Sequence, residues 1–195
     1  MANIITGTQL VMLSQSNVKG KSPFSFEILA LSNMHNKTKS ILSSITGETS
    51  NVVTIFLSHS HSEKVMLQSF LSILFRLGVE VYVDWMDEEM PYPPSGKTAE
   101  RIKIKINENQ KFILLATNRA IASKWCNWEL GLGDAAKFDE NIALFPVAES
   151  NGWNGNEYLQ IYPYIEKINS NYLQDSFKVT NPKGGSISLQ RWLNK

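Results

Sequence analysis

One cysteine, Cys126, is all that this chain of 195 residues contains, so no internal disulfide can form. Beside three histidines it supplies no ligand set at zinc spacing, and no metal is expected. Reducing cytosol is the compartment such a composition suits. The sequence also lacks any run of about 18 apolar residues that would span a bilayer. Its start, MANIITGTQLVMLSQS, has no basic stretch ahead of an apolar core, the mark of an export signal. A cytoplasmic protein with no membrane partner is therefore expected. Charge of one sign is missing as well. Nineteen basic against eighteen acidic side chains leave a net charge of +1, so no global field draws the chain to nucleic acid. Internal repeats and low-complexity tracts are absent. What remains is 43% hydrophobic and 19% charged, the make-up of a folded domain of ordinary size.

Residues 1–51 stand apart. They are rich in Ser, Thr and Asn, their apolar residues are scattered, and they end in SSITGETSN. They read as an arm or small helical extension, with Phe24, Phe26, Ile28, Leu29 and Leu31 available for packing. From residue 52 a rhythm begins. VVTIFLS is an apolar, β-branched run of the kind buried on both faces of a parallel sheet. Ser60 with Glu63 spells a capping box, and Val65, Met66, Phe70, Ile73, Leu74 and Leu77 continue at helical spacing to Gly78. EVYVDW, KFILLA and IALFPV supply further strands. In TAERIKIKI the periodicity fits strand and helix alike; a crossover between parallel strands needs a helix, so a helix is expected there. YLQIYPYI and SFKVT read as extended, and SISLQRWL as a closing helix. Alternating strands and helices predict an α/β domain with a mainly parallel sheet of about five strands.

Two nucleotide-site lookalikes fail on context. Gly96, Lys97 and Thr98 imitate the end of a P-loop, but Pro91 stands where its first glycine belongs. Gly131, Gly133 and Ala136 spell GxGxxA inside a helical stretch with no strand leading into it; small residues there let a helix approach a sheet. The most informative segment is SKWCNWELGLGD, residues 123–134. Ser123 suits an N-cap, and Trp125, Trp128, Glu129, Leu132 and Ala136 recur on one face. A carboxylate there either serves only the helix dipole or, walled by two indoles, forms a slot for a cationic planar group.

FLSHSHSEK after the first strand, VYVDW, the proline-bearing loop MDEEMPYPPSGK, FILLATNRAIASKWCNWEL and the closing LQRWL together resemble a Toll/interleukin-1 receptor (TIR) domain of the bacterial type. The likeness covers residues 52–195. It implies a flavodoxin-like three-layer fold. In enzymatic TIR domains the glutamate of a W-x-x-x-E motif supports cleavage of the nicotinamide–ribose bond of NAD, and that glutamate falls on Glu129, with Trp125 as its tryptophan.

The resemblance further implies that the loop at Ser58, His59 and Ser60, and the loop from Asp84 and Trp85 to Lys97, border the substrate cleft; Trp125 or Trp128 is expected to pack against a ring of the substrate. His59 either meets phosphate or ribose or bonds loop backbone; Asp84 either meets ribose or starts a turn. His61 reads as a loop residue pointing away, Asp87, Glu88 and Glu89 as a solvated face, and Cys126 as packing. Such enzymes serve bacterial anti-phage defence by destroying NAD or converting it to a cyclic ADP-ribose signal read by a downstream effector. They take NAD as substrate without a separate cofactor and work as homo-oligomers through TIR–TIR contacts. The alternative is a non-catalytic TIR scaffold acting by self-association. A phosphoacceptor receiver domain is disfavoured, since the first strand ends in Ser58 and the third runs into Thr117 and Asn118.

Overall fold

Strands that alternate between two apolar faces need cover on both, and the sheet is built that way. The computed structural model describes residues 2–15, 52–168, 170 and 175–195. Phe24, Phe26, Ile28, Leu29 and Leu31 lie outside those residues. The described strands are β1 (Ile5–Thr6), β2 (Thr54–Ser58), β3 (Glu80–Tyr82), β4 (Lys111–Ala116), β5 (Ile142–Ala148), β6 (Tyr164–Lys167), β7 (Phe177–Thr180) and β8 (Ser186–Ser188). They form one sheet in the order β3-β2-β4-β5-β6-β7-β8, with β1 paired to β5. Pairing is parallel from β3 through β6 and antiparallel in the last two pairs. The five parallel strands form the flavodoxin-like core foreseen in the sequence.

Along β4, Ile113 and Leu115 face one core cluster while Phe112, Leu114 and Ala116 face the other. The first cluster is roofed by α1 (Gly7–Gln15), α2 (Lys64–Arg76) and α6 (Leu189–Leu193), the second by α3 (Gly96–Glu108) and α5 (Lys124–Asn141). A short α4 (Asn118–Ala122) leads into α5. The stretch with ambiguous periodicity is helix. Ser95 and Thr98 cap it reciprocally, Ile102 and Ile106 are buried, and Ile104 turns outward. An added Cβ at Gly133 would lie 2.7 Å from the Phe112 ring, so that glycine lets α5 lie close on the sheet. Gly131 faces open space.

Several expectations give way. The Ser60–Glu63 capping box does not form: α2 starts at Lys64 without a side-chain cap, and Ser60 Oγ pairs with Ser62 Oγ at 3.0 Å. The Glu63 carboxylate instead accepts a hydrogen bond from Thr117 beyond β4, a partner 54 residues away. EVYVDW is strand only to Tyr82, then turns as a 3₁₀ segment, Asp84–Met86. YLQIYPYI divides into a 3₁₀ turn at Tyr158–Gln160 and β6. SISLQRWL begins as β8, where Ile187 pairs with Val179, and becomes helix only after Ser188, whose Oγ accepts from the Arg191 amide. Of the segment set apart at 1–51, the described part is built into the domain. Ile5 pairs with Val147, Ile5 and Leu10 are buried in the first cluster, and the Asn3 amide donates to Glu166 at 2.8 Å.

Candidate active site

In open parallel sheets, ligands bind outside the carboxyl ends of the strands where the strand order reverses. Here that point lies between β2 and β4, and β2 delivers Ser58, His59 and Ser60 to it. The carboxyl end of β3 delivers Asp84 and Trp85. From above, α5 brings its first turns to the same place. Ser123 caps this helix by accepting from the Cys126 amide, which fixes the phase of the residues that follow. Leu130 then points into the core, Cys126 sits between core and cleft, and Trp125 and Glu129, one turn apart, face the cleft.

The cleft measures about 690 Å³, within the usual range for small-molecule sites. His59, Ser60, Asp84, Trp85, Trp125 and Glu129 line it, as does the loop around Tyr92 and Pro94. Ser58 is fully buried and acts from behind: its Oγ donates to Glu129 Oε2 at 2.6 Å. Trp128 does not line the cleft; it meets Trp125 edge to face at 5.3 Å and packs on the second core cluster. Lys97 is exposed in the first turn of α3 and is not among the cleft residues. At the mouth Trp125 is 45% exposed, its indole open to the cleft.

Glu129 itself is 6% exposed. Burial pushes its pKa up from 4.5 to about 7, only partly opposed by the Ser58 hydrogen bond and reinforced by the Asp84 charge. In its ionised form the group is therefore poorly solvated.

His61, read from sequence as pointing away, lines the cleft and lies 3.1 Å from Asp84 through its Nε2. That bond raises the His61 pKa, against the effect of burial. Burial opposes the Asp84 charge, but the His61 bond and the two imidazoles outweigh it and hold the carboxyl below its ordinary value. Both uses foreseen for Asp84 are compatible: Oδ1 accepts from the Trp85 amide at 2.8 Å, starting the turn, and the side chain lines the cleft. His59 is buried, with Nδ1 3.4 Å from the Leu57 carbonyl, and desolvation lowers its pKa. His59, His61 and Asp84 bring their donor atoms within 4.8 Å of one another, a group among the described residues that could hold a metal.

Asp87 is not part of a solvated face. Arg101 reaches it with Nε at 2.8 Å and Nη2 at 2.9 Å, and Tyr82 donates to it at 2.7 Å. Arg101 also pairs with Glu89 at 2.6 Å, so one guanidinium clamps the loop after β3 onto α3. Cys126 packs as expected, donating from Sγ to the His59 carbonyl at 3.3 Å, and burial pushes its thiol up to about 11.

Comparison with known proteins agrees with this geometry. Residues 55–175 match the family described as TIR domain. Over 152 residues the chain is 28% identical to a protein of Bacillus cereus (strain MSX-D12) named Probable 3' cyclic ADP-D-ribose synthase ThsB', a match covering 74% of this chain and 77% of that one. The family match takes in more than half of the chain, and with a flavodoxin-like sheet beneath it, the protein belongs to the TIR domain family.

Proposed function

We propose that the chain cleaves the bond between nicotinamide and ribose in NAD and that Glu129 is its catalytic residue. The observation that carries this reading is a buried carboxylate, bonded to Ser58, opening into a nucleotide-sized cleft beside an exposed indole. The name of the Bacillus cereus relative, Probable 3' cyclic ADP-D-ribose synthase, supports the same substrate.

Nicotinamide in NAD is a cation bound to C1' of the ribose. As the C–N bond breaks, the electron pair leaves with the ring, which departs neutral without a proton. Positive charge moves onto the ribose as an oxocarbenium-like centre, and this charge is what needs stabilisation. Glu129 in its ionised form supplies it, accepting hydrogen bonds from ribose hydroxyls while Trp125 stacks on a ring. The arriving nicotinamide cation favours that ionised form, against the burial that holds the pKa near 7 in the free site. Water adding to C1' with loss of a proton to solvent gives ADP-ribose; a hydroxyl of the same molecule, losing its proton likewise, gives a cyclic product. The chemistry at C1' calls on no cofactor besides the substrate. In a bacterial cell this reading places the chain in anti-phage defence, with the product as signal or NAD loss as effect. Assembly through TIR–TIR contacts would raise turnover as protein concentration rises.

The test is incubation of the purified full chain with NAD, with products resolved by mass. Nicotinamide release is expected, and Glu129→Gln should lower kcat by about a hundredfold or more. A chain that releases no nicotinamide at any protein concentration is a scaffold instead.

A further inference from the structure

A substrate with a pyrophosphate brings two negative charges, yet the described residues lining the cleft include the carboxylates Asp84 and Glu129, and Asp87 held by Arg101, but no lysine or arginine. A cation bound there would offset the phosphate charge. We propose that His59, His61 and Asp84 form a binding site for one divalent transition-metal ion, of the zinc and cobalt class, whose open position takes a pyrophosphate oxygen. The phosphate half of this proposal rests on the NAD reading above; the ion site does not.

The three residues come from two fixed points of the sheet edge, His59 and His61 from the segment after β2 and Asp84 from the turn after β3. Their donor atoms lie within 4.8 Å of one another, with His61 Nε2 3.1 Å and His59 Nδ1 3.9 Å from Asp84. Zinc binds nitrogen and oxygen at about 2.0–2.2 Å, so donors sharing one ion stand roughly 3–4 Å apart. Closing the remaining gap takes less than about an ångström, and His61, with a side chain 67% exposed, has room to swing.

A second observation points the same way. The His59 side chain is 2% exposed, and its Nε2 is buried without a hydrogen-bond partner. A buried polar atom without a partner is costly, and an ion taken by that nitrogen itself would satisfy it. Two imidazoles with one carboxylate suit zinc, cobalt, nickel or copper; magnesium and calcium demand oxygen-rich shells that this site does not have. Three protein ligands leave at least one coordination position, and all three line the cleft, so that position faces the substrate. The ion neutralises phosphate and orients the dinucleotide; Glu129 does the work at C1'. Sequence spacing gave no sign of it, because Asp84 is distant in the chain from the histidine pair.

Cobalt(II) titrated into the tag-free, chelator-treated full chain tests the site directly. One ion per chain and a visible absorption band are expected, with affinity reduced about tenfold or more in His61→Ala and Asp84→Asn. His61 is exposed, so its variant keeps the fold, which circular dichroism checks. No band, or equal binding by both variants, overturns the ion site. In the kinetic arm, loading should lower the KM for NAD severalfold and leave that for nicotinamide riboside, which has no pyrophosphate, unchanged. Bound cobalt with an unchanged KM for NAD overturns the phosphate role. Bound cobalt with no nicotinamide released from either compound leaves the ion site standing and removes the NAD reading instead.

Discussion

Replacing Glu129 by Gln should stabilise the protein at alkaline pH while removing its proposed activity. The side chain is 6% exposed, and its pKa lies near 7 against an ordinary 4.5. A carboxyl whose pKa is raised by folding binds its proton more tightly in the native state. Below the unfolded value both states are protonated and nothing is lost; as pH rises from 4.5 to about 7 the native state loses stability relative to the unfolded chain. At about 1.4 kcal/mol per pH unit, ionising the buried group costs on the order of 3 kcal/mol above neutrality. Gln has nearly the same shape, and its carbonyl oxygen can still accept from Ser58, but it never ionises. The advantage of the variant should therefore grow by roughly 2 to 3 kcal/mol between about pH 5 and pH 8. For a domain of this size that is a difference of roughly 5–10 °C in Tm. Burial also raises the pKa of Glu63, but Glu63 is present in both chains and cancels in the comparison. Urea denaturation of the two proteins at both pH values measures the quantity. A variant no more stable than the wild type at pH 8, or favoured equally at pH 5, refutes the account of Glu129 as a carboxylate held at a desolvation cost.

The same pKa shapes the pH profile: kcat/KM for NAD should rise through about 7 and level off above it, because the ionised form is the working one; initial rates across pH 5.5–9 check this. Trp125→Ala, removing a half-exposed indole from the cleft mouth, should raise KM roughly tenfold with little change in Tm. Trp128→Ala should instead cost stability, since that ring packs on the second core cluster. Leu10→Ala, at a fully buried position roofing the first cluster, should cost about 2–5 kcal/mol in urea unfolding, although Leu10 lies 45 residues before the family match begins.

Parts of this architecture were legible because they depend on neighbours in sequence. KFILLA and IALFPV are apolar on both faces and became β4 and β5. The i, i+4 relation of Trp125 and Glu129 placed both on the cleft side of α5, and Ser123 capped that helix as its identity suggested. The departures share one physical origin, partners remote in the chain. Glu63 left its local capping role for Thr117, and Asp87 left solvent for Arg101. His61 found Asp84 only because β2 and β3 are adjacent in the sheet. Ser186–Ser188 became strand because an edge of β7 was there to pair with, a fact that the polar text SIS does not carry. Ile5 and Leu10 show no usable periodicity across so short a stretch, yet β5 and α2 provide a place for them.

The thiol of Cys126 offers a practical consequence. It is 3% exposed, with a pKa near 11, so at about pH 7.5 fewer than about one molecule in a thousand carries the thiolate that alkylating dyes require. Because no other cysteine exists in the chain, Tyr92→Cys, at a tip that is 93% exposed, would take a maleimide fluorophore selectively in the otherwise native sequence. A ligand entering the cleft beside that dye then becomes an optical signal, recorded in a protein whose buried thiol stays silent.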